Sequence, residues 1–293
     1  MKKLMDGRVV AIDLTDALKK KVANLISNGI IPTLAIVRVG DRPDDISYEK
    51  GILKSAAKIG IEVENVVLPK NISLEAFSAV IDFLNTSENV HGVLVFRPLP
   101  TQLPVEKVKN LLDPEKDIDC MTSTNLGKIF EGDDSGFSPN TPAAVMEMLD
   151  FYGIELTGKK VAVIGRSLVV GKPQALILVD RNATVIICHS KTENLAEVTS
   201  ECDIVISAVG KPKFVKGEFI KNDAIVIDVG INFDENGKLC GDVDFDQVEN
   251  KASLITPVPG GVGAVTNIVL LKQLVKATIK HSENLNFDNY KKN

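Results

Sequence analysis

The sequence predicts two α/β domains, each built on a parallel sheet covered by helices, and three observations support this. The chain has 293 residues, which is enough for two domains of ordinary size. In its first half, apolar strand-like runs alternate with helical patterns. In its second half, four short runs rich in Val and Ile are separated by helix-length segments. Such alternation is typical of parallel strands joined by crossover helices.

The first domain is predicted from six segments that follow one another closely. In the order strand, helix, strand, helix, strand and helix, they are "TLAIVRVG", "SYEKGILKSAAKIGI", "VENVVLP", "LEAFSAVIDFL", "HGVLVFRPLP" and "VEKVKNLL". The stretch from "PEKDIDCMTSTN" to "GDDSGFSPNTP" has no clear periodicity and is dense in Asp, Ser, Gly and Pro. It predicts loops and a linker that ends near Thr141.

The second domain is predicted to be half or more of a doubly wound, Rossmann-type nucleotide-binding sheet. Its four strands are "KKVAVIG", "ATVIICHS", "CDIVISAVG" and "AIVIDVG". The chain closes with a Pro/Gly loop and an apolar helix, "TPVPGGVGAVTNIVLLKQLVKATIKH", which we expect to pack back on the first domain. The predicted boundaries are residues 1–138 with 267–293 for the first domain, and residues 139–266 for the second.

Composition and charge argue against several classes of function. The net charge of -5 argues against a nucleic-acid-binding surface, which needs a basic patch. No apolar run approaches the roughly 18 residues of a membrane span, and "MDGRVVAIDLTD" is too polar for a signal peptide, so we expect a cytoplasmic protein. The cysteines lack CxxC spacing and predict reduced core thiols, with neither a metal site nor disulfides: Cys120, Cys188, Cys202 and Cys240.

The segment "VAVIGRSLVVGKP" predicts a nucleotide site. Gly165 ends a strand, and Gly171 opens the next helix, whose free N–H groups attract a phosphate. The spacing is GxSxxxG and departs from the GxGxxG fingerprint, so a tight turn without a ligand is the alternative. "DVGIN" ends a later strand at the same edge, where the backbone of Gly230 and Ile231 could face a nicotinamide.

The residues after the second strand favour NADP over NAD. An NAD site usually has Asp or Glu there to bind the ribose 2′-hydroxyl. Here "TVIICHSKT" carries Ser190 and Lys191 and has no acid before Glu193. Together with Arg166 in the first turn, these residues could hold a 2′-phosphate. The alternative for Ser190 and Lys191 is an ordinary solvated loop.

Taken together, these motifs resemble the bifunctional methylenetetrahydrofolate dehydrogenase/cyclohydrolase family over nearly the whole chain. "GRSLVVGKP", "ATVIICHSKT", "DVGIN" and "TPVPGGVG" resemble its dinucleotide and loop motifs, and "KDIDCMTSTN" and "GVLVFRPLP" its folate-site segments. The resemblance implies a homodimer, each subunit with a folate-binding N-terminal and an NADP-binding C-terminal domain. It implies oxidation of 5,10-methylenetetrahydrofolate to the methenyl form, then hydrolysis to 10-formyltetrahydrofolate.

The resemblance also implies roles for individual residues. On the folate side, Tyr48 would stack beside the pterin and aminobenzoyl rings, and Asp119 would bind the pterin amino group and ring nitrogens. The further substrate contacts that it implies are Leu99, Pro259, Gly260 and Gly261. The matching positions on the cofactor side are Gly165, Arg166, Ser167, Ser190 and Ile231.

Two departures from the family pattern concern proton transfer. Four residues after the tyrosine the family has a lysine, its presumed acid/base group, and this chain has Ile52. In the strand before "PLP" the family has a glutamine that tunes the lysine, and this chain has Phe96. We expect these two apolar side chains to face each other. Cys120 and Ala264 replace a frequent Gly and Pro of the family.

No neighbouring lysine is expected to take over the missing role. A helical residue turns by about 100°, so Lys50 and Lys54 lie about 200° and 240° around the helix from Tyr48. Positioning supplies most of the catalytic effect in hydride transfer, whereas hydrolysis needs an activated water and a moved proton. The sequence therefore predicts a dehydrogenase whose cyclohydrolase step is weak or lost.

Three alternatives remain open at this point. A mobile lysine or a bound water could preserve both activities. The chain could be a non-catalytic folate- or nucleotide-binding paralogue, against which the intact Gly165, Arg166, Ser190 and Asp119 argue. Phe96 and Cys120 near the expected ring would also suit an altered pterin or another small substrate.

Overall fold

The computed structural model describes residues 4–291, with side chains described for residues 4–283. Its helices are α1 (Gly7–Ser27), α2 (Pro43–Ile59), α3 (Leu74–Thr86), α4 (Val105–Val108), α5 (Ser123–Glu131), α6 (Asn140–Phe151), α7 (Gly171–Asp180), α8 (Leu195–Thr199), α9 (Phe245–Val248) and α10 (Thr266–Lys291). Its strands are β1 (Thr33–Val39), β2 (Glu62–Leu68), β3 (Gly92–Val95), β4 (Lys160–Ile164), β5 (Thr184–Cys188), β6 (Ile204–Ser207), β7 (Ile225–Asp228), β8 (Asn232–Phe233), β9 (Leu239–Cys240) and β10 (Leu254–Ile255). Within the described residues, no helix is both long and apolar enough to cross a bilayer.

The described chain divides into two compact units. The first unit contains residues 13–128, 133–138 and 267–291, and the second contains residues 4–12, 129–132 and 139–266. The last helix, α10, thus belongs almost wholly to the unit that holds β1. The domain boundaries given by the sequence stay a prediction.

The first unit is built on a parallel sheet in the order β2-β1-β3. Every residue of β1 is buried, as expected for a central strand that is covered on both faces and is therefore apolar throughout. Phe77 and Ile81 of α3 pack with Val37 and Val95 in the core of this unit. The helix α2 ends where Gly60 adopts a φ of 83°, a left-handed conformation that favours glycine.

The second unit contains a parallel sheet in the order β10-β7-β6-β4-β5 and a two-stranded ribbon of β8 and β9. The chain leaves β4 for its neighbour β5 and then returns to the other side of β4 to form β6. This reversal of strand order creates the crevice at which open α/β sheets bind ligands. The two-domain α/β fold with parallel sheets is therefore confirmed.

Four local predictions need correction. The stretch predicted as loops contains α5, a helix that was missed because it has only nine residues, few apolar positions and a glycine at position 127. The sequence analysis also missed α1. "VEKVKNLL" forms only the single turn α4. The second sheet has a fifth strand, β10, whose two residues are too few to show periodicity.

A buried histidine lies at the start of β3. His91 is 8% exposed, and its Nδ1 accepts a hydrogen bond from the Thr33 N–H at 3.2 Å. Its ring centroid lies 5.6 Å from that of His281 in a T-shaped arrangement. Burial first, and then the positive charges of His281 and Lys116, lower the pKa of His91 to about 4. The folded state therefore holds this imidazole neutral.

We expect His91 to make the fold sensitive to acid. Between pH 6.5 and pH 4 the unfolded chain binds a proton at this position and the folded chain does not, so stability falls as the pH is lowered. The loss should reach up to about 3 kcal/mol at pH 4 relative to pH 7. Urea unfolding across this range should show a shallower pH dependence for His91→Gln, whose amide oxygen can still accept the Thr33 N–H. An unchanged slope would contradict the assignment.

Candidate cofactor and substrate sites

The turn between β4 and α7 is packed too tightly to carry side chains at its glycines. Gly165 has a φ of 130°, and its N–H donates to the Cys188 carbonyl oxygen at 2.9 Å. A Cβ on Gly165 would lie 2.5 Å from the Ala208 carbonyl oxygen, and one on Gly171 would collide with the Gly165 carbonyl. The close approach brings the first turn of α7 against the end of β4, as a phosphate-binding turn requires.

Cationic and hydroxyl side chains surround this turn. Arg166 and Ser167 follow directly after β4, and Ser190 and Lys191 follow β5. Ile164 pairs with Cys188 at the ends of these adjacent strands, so both groups leave the same edge of the sheet. Within the described part of the chain, Arg166 and Lys191 form no ion pair. The charge of this edge suits a phosphorylated ligand, and the role of these residues in holding a cofactor stays a prediction.

Two buried aspartates organise the neighbouring loops. Asp228 accepts hydrogen bonds from the N–H groups of Gly230, Asp242 and Val243, each at 2.9 Å. Asp242, which is fully buried, accepts from the Val209 N–H at 2.6 Å. Burial, opposed by these backbone bonds and aided by the charge of Asp242, raises the pKa of Asp228 to about 6. These carboxylates fix the backbone at the ends of β6 and β7.

The predicted residues Gly230 and Ile231 share a cavity with the Pro/Gly loop. The cavity has a volume of about 300 Å³ and is lined by Gly230, Ile231 and the loop residues Pro259, Gly260 and Gly261, among others. Ile231 is 70% exposed. The Gly260 carbonyl accepts from the Gly7 N–H at 2.8 Å, and a Cβ on Gly261 would lie 2.5 Å from the Pro257 carbonyl. The loop is thus a fixed wall of this cavity.

In the first unit, α2 presents an aromatic side chain and is anchored by a buried ion pair. Arg38, at 7% exposure, donates through Nε to the Glu49 carboxylate at 2.9 Å. Tyr48, the preceding residue of the helix, keeps 38% of its surface exposed. Its ring centroid lies 5.5 Å from that of Phe96, with the planes tilted by 35°. Partial burial, and then the charge of Asp119, raise the pKa of Tyr48.

Position 52 is closed to solvent. Ile52 is 0% exposed, whereas Lys50 and Lys54 are both exposed, as the helical angles predicted. Phe96 is 6% exposed, and the neighbour that the structure gives its ring is Tyr48. Direct packing of Ile52 against Phe96 stays a prediction. Neither side chain carries a group that could donate or accept a proton.

A polar side chain of α10 lies beside α2. The Nδ2 atom of Asn267 would be 2.9 Å from a Cβ on Gly51, so a side chain at position 51 would require that of Asn267 to shift. The Oδ1 atom of Asn267 is buried and has no hydrogen-bond partner among the described residues. The sequence analysis did not single out this residue, because an asparagine in an apolar helix gives no signal of its surroundings.

The loop after β3 holds two aspartates with different roles. Asp117 is fully buried and accepts from the N–H groups of Met121 and Thr122, each at 2.8 Å. Asp119 is partly exposed, and its Oδ2 accepts from Arg97 at 2.8 Å. Asp117 therefore braces the loop, and Asp119 faces outward beside a cation. The sequence analysis missed Asp117 and Arg97.

Two other predicted residues are explained by packing. Cys120 is buried and has a φ of 54°, a region in which glycine is easier to accommodate. Burial, followed by the charges of Asp117 and Asp119, raises the pKa of the Cys120 thiol. Leu99 packs against the core of the first unit. Among the described side chains, no group of three or more His, Cys, Asp or Glu is arranged to hold a metal ion.

Two family models match the chain. Residues 5–119 match the tetrahydrofolate dehydrogenase/cyclohydrolase catalytic domain, and residues 139–282 match the NAD(P)-binding domain of the same family. The bifunctional protein FolD of Alkaliphilus metalliredigens is 49% identical over 285 residues, which cover 97% of this chain and 100% of that protein.

Solved structures give the same similarity. The bifunctional enzyme FolD of Campylobacter jejuni superposes with a TM-score of 0.93 at 40% identity, covering 94% of this chain and 98% of the other. The Trypanosoma brucei methylenetetrahydrofolate dehydrogenase-cyclohydrolase, solved with NADP cofactor and an inhibitor, has a TM-score of 0.88 at 38% identity. It covers 94% of this chain and 96% of the other.

The two aspartates after β3 should respond differently to mutation. Asp117→Ala leaves buried N–H groups unpaired and should lower the free energy of unfolding by about 2–4 kcal/mol. Asp119→Ala removes a partly exposed group and should cost less than about 1 kcal/mol. Chemical denaturation of both variants beside the unmutated protein measures this contrast. If both variants lost the same free energy of unfolding, the assignment of Asp117 as the residue that stabilises the loop and of Asp119 as the outward-facing residue would be wrong.

Proposed function

Because the chain belongs to the tetrahydrofolate dehydrogenase/cyclohydrolase family, we propose that it oxidises 5,10-methylenetetrahydrofolate to 5,10-methenyltetrahydrofolate with NADP, and that its cyclohydrolase step is weak or lost. The observation that carries the second part is the fully buried Ile52 on the helix that presents Tyr48. The first part rests on the residues at the edge of β4 and β5 and on the polar and aromatic groups around Asp119.

The edge of β4 and β5 supports NADP as the cofactor. Arg166, Ser190 and Lys191 lie there, and the residue after Cys188 is His189, with no carboxylate to repel a 2′-phosphate. The tight turn at Gly165 and Gly171 brings the N-terminus of α7 to this edge, where the positive end of the helix dipole would favour a diphosphate. Bound NADP would supply the acceptor for a hydride from the methylene carbon of the folate.

The first unit supports a flat heterocyclic substrate. The exposed ring of Tyr48, backed by the buried ring of Phe96, forms an aromatic wall. The carboxylate of Asp119 can accept from adjacent N–H groups such as the amidine-like edge of a pterin. In the second unit, we assign the backbone of Gly230, Ile231 and the Pro/Gly loop to ligand contacts at the cavity that they line together. These groups bind and orient, and positioning supplies most of the effect in hydride transfer.

Hydrolysis of the methenyl product makes a different demand. Water must attack the methenyl carbon, and a proton must move as the ring opens. A side chain that transfers this proton typically accelerates the reaction by about 10²–10⁴-fold. Ile52 and Phe96 can neither donate nor accept that proton. Their burial also keeps water away from this part of the site. These two side chains support a dehydrogenase that releases the methenyl compound.

A second candidate is the full bifunctional enzyme. The observation that favours it is that relatives such as the A. metalliredigens protein carry the name bifunctional. In that case hydrolysis would proceed through a bound water or another polar group. The binding-only alternative is less well supported, because Gly165, Arg166, Ser190 and Asp119 match the family pattern. A homodimer and a cytoplasmic location, both implied by the sequence analysis, also remain proposals, and sedimentation would test the first.

We expect turnover with NADP to exceed turnover with NAD at matched concentrations. The double change Arg166→Ala with Ser190→Ala removes two contacts to the 2′-phosphate and should raise the KM for NADP by about tenfold or more. The KM for NAD, which lacks that phosphate, should change little and serves as the internal control. Equal use of both nucleotides by the unmutated protein would contradict this assignment.

We expect the unmutated protein to accumulate the methenyl product. After oxidation with NADP, methenyl absorbance should decay at the rate of the buffer blank. Ile52→Lys alone should help little, because a desolvated lysine beside Phe96 is pushed towards its neutral form. Ile52→Lys with Phe96→Gln should accelerate hydrolysis by more than the two single changes together, because residues in one network couple.

The exposed lysines of the same helix provide matched controls for this experiment. Lys50→Ala and Lys54→Ala change a charge near position 52 without entering the site, and both should leave oxidation and methenyl decay as they are. Decay clearly faster than the blank in the unmutated protein would show that hydrolysis survives by another route. That result would select the bifunctional candidate.

A further inference from the structure

Arg97 places a cation beside Asp119, and neither hydride transfer nor hydrolysis as described above assigns a role to this cation. The residue follows Phe96 at the carboxyl edge of the first sheet. Its terminal nitrogen donates to the Asp119 Oδ2 at 2.8 Å, and the side chains of the pair are 25% and 22% exposed. The pair is open to a ligand.

Arg97, Asp119 and the aromatic wall of Tyr48 and Phe96 form one cluster. The charge of Asp119 raises the pKa values of both Tyr48 and Cys120, and Arg97 opposes the effect at Cys120, so these groups lie within electrostatic reach of one another. Phe96, the residue before Arg97, packs on the Tyr48 ring. A flat ring against this wall would meet a carboxylate and a guanidinium side by side.

A guanidinium has five N–H donors, and among the described residues the structure gives Arg97 a single hydrogen-bond partner, Asp119. Donors therefore remain for a ligand. A ligand ring would fit this pair if one of its edges carried N–H groups that donate to the carboxylate of Asp119. The adjacent ring position would carry an oxygen that accepts from the guanidinium of Arg97. A 2-amino-4-oxo pterin has this order, since its amino group and N3–H are followed by the C4 carbonyl.

We propose that Arg97 donates to the C4 carbonyl of the pterin while Asp119 binds the amino and N3–H groups, which makes Arg97 a specificity-determining residue for a 4-oxo ring. This inference rests on the proposed function, since it concerns the same folate site. A 4-amino ring would turn an N–H donor towards the Arg97 donors. The Arg97 donors would then lack an acceptor, and a site whose polar groups are left unpaired binds the wrong ligand much more weakly.

The test compares two ligands that differ at C4 and therefore at N3, which carries a hydrogen in the 4-oxo ring and none in the neutral 4-amino ring. The role of Arg97 is read from the change in discrimination between variants, because the N3 difference towards Asp119 is the same in each of them. Tetrahydrofolate and tetrahydroaminopterin are titrated calorimetrically into the purified full-length protein under oxygen-free conditions. The unmutated protein should bind the 4-oxo ligand about 10–100-fold more tightly. Arg97→Met should weaken tetrahydrofolate by about tenfold and leave tetrahydroaminopterin within about twofold, so that the discrimination falls by about tenfold and only the part that comes from N3 and Asp119 remains.

Two further variants separate specificity from structure. Arg97→Lys keeps the charge without the planar fork and should retain part of the discrimination. Asp119→Asn should weaken both ligands, because both rings carry the amino group that it binds. Arg181→Met, which removes an exposed ion pair with Asp150 in the second unit, is the matched control and should change neither affinity.

The outcomes distinguish this inference from the proposed function. If Arg97→Met and Arg97→Lys weaken both ligands equally, or neither, Arg97 does not read C4, and the inference is overturned. Oxidation of methylenetetrahydrofolate with NADP is measured in parallel on the unmutated protein. If the protein oxidises methylenetetrahydrofolate but does not distinguish the 4-oxo from the 4-amino ligand, the proposed function is supported and only the role of Arg97 is wrong. A protein that neither binds tetrahydrofolate nor oxidises its methylene derivative overturns both.

Discussion

Buried carboxylates that accept backbone N–H bonds hold the loops at the carboxyl edges of both sheets. Asp117 ties down the loop after β3, and Asp228 and Asp242 do the same after β6 and β7. Loop backbone at the end of a parallel strand has no ladder partner, and an unpaired buried N–H costs as much as a lost hydrogen bond. A short acid that accepts two or three such groups removes this cost, and it fixes the loop geometry on which both candidate sites depend.

This bracing separates residues that support a site from residues that face a ligand. Asp117 and Asp119 are two positions apart, yet one is fully buried and the other is partly exposed beside Arg97. In the second unit the bracing acids are buried, and the predicted site residues Arg166 and Ile231 are exposed. A rigid support with accessible polar groups is what precise positioning of a folate and a nucleotide requires.

In the first unit, the chemistry available to the candidate site depends on which side chains around Asp119 carry a charge and which are apolar. Ile52 and Phe96 remove proton-transfer groups from one part of the cluster, while Arg97 adds a cation at the next position along the chain. An arginine keeps its proton and serves recognition better than acid/base catalysis. The resulting site is suited to orienting a ring and poorly suited to moving a proton during hydrolysis.

The sequence by itself determined the two parallel-sheet domains and the turn at Gly165 and Gly171, because strand periodicity and local motifs depend on neighbours along the chain. The roles of Tyr48 and Asp119 came from the family resemblance and stay predictions. It could not reveal α5, whose short pattern is weak, nor the roles of Asp117 and Arg97. The sequence does not distinguish an aspartate that is buried under backbone N–H groups from one that is exposed beside a guanidinium. Only tertiary packing, which brings β3 and the loop after it together, decided which acid is buried under backbone N–H groups and which lies partly exposed beside Arg97.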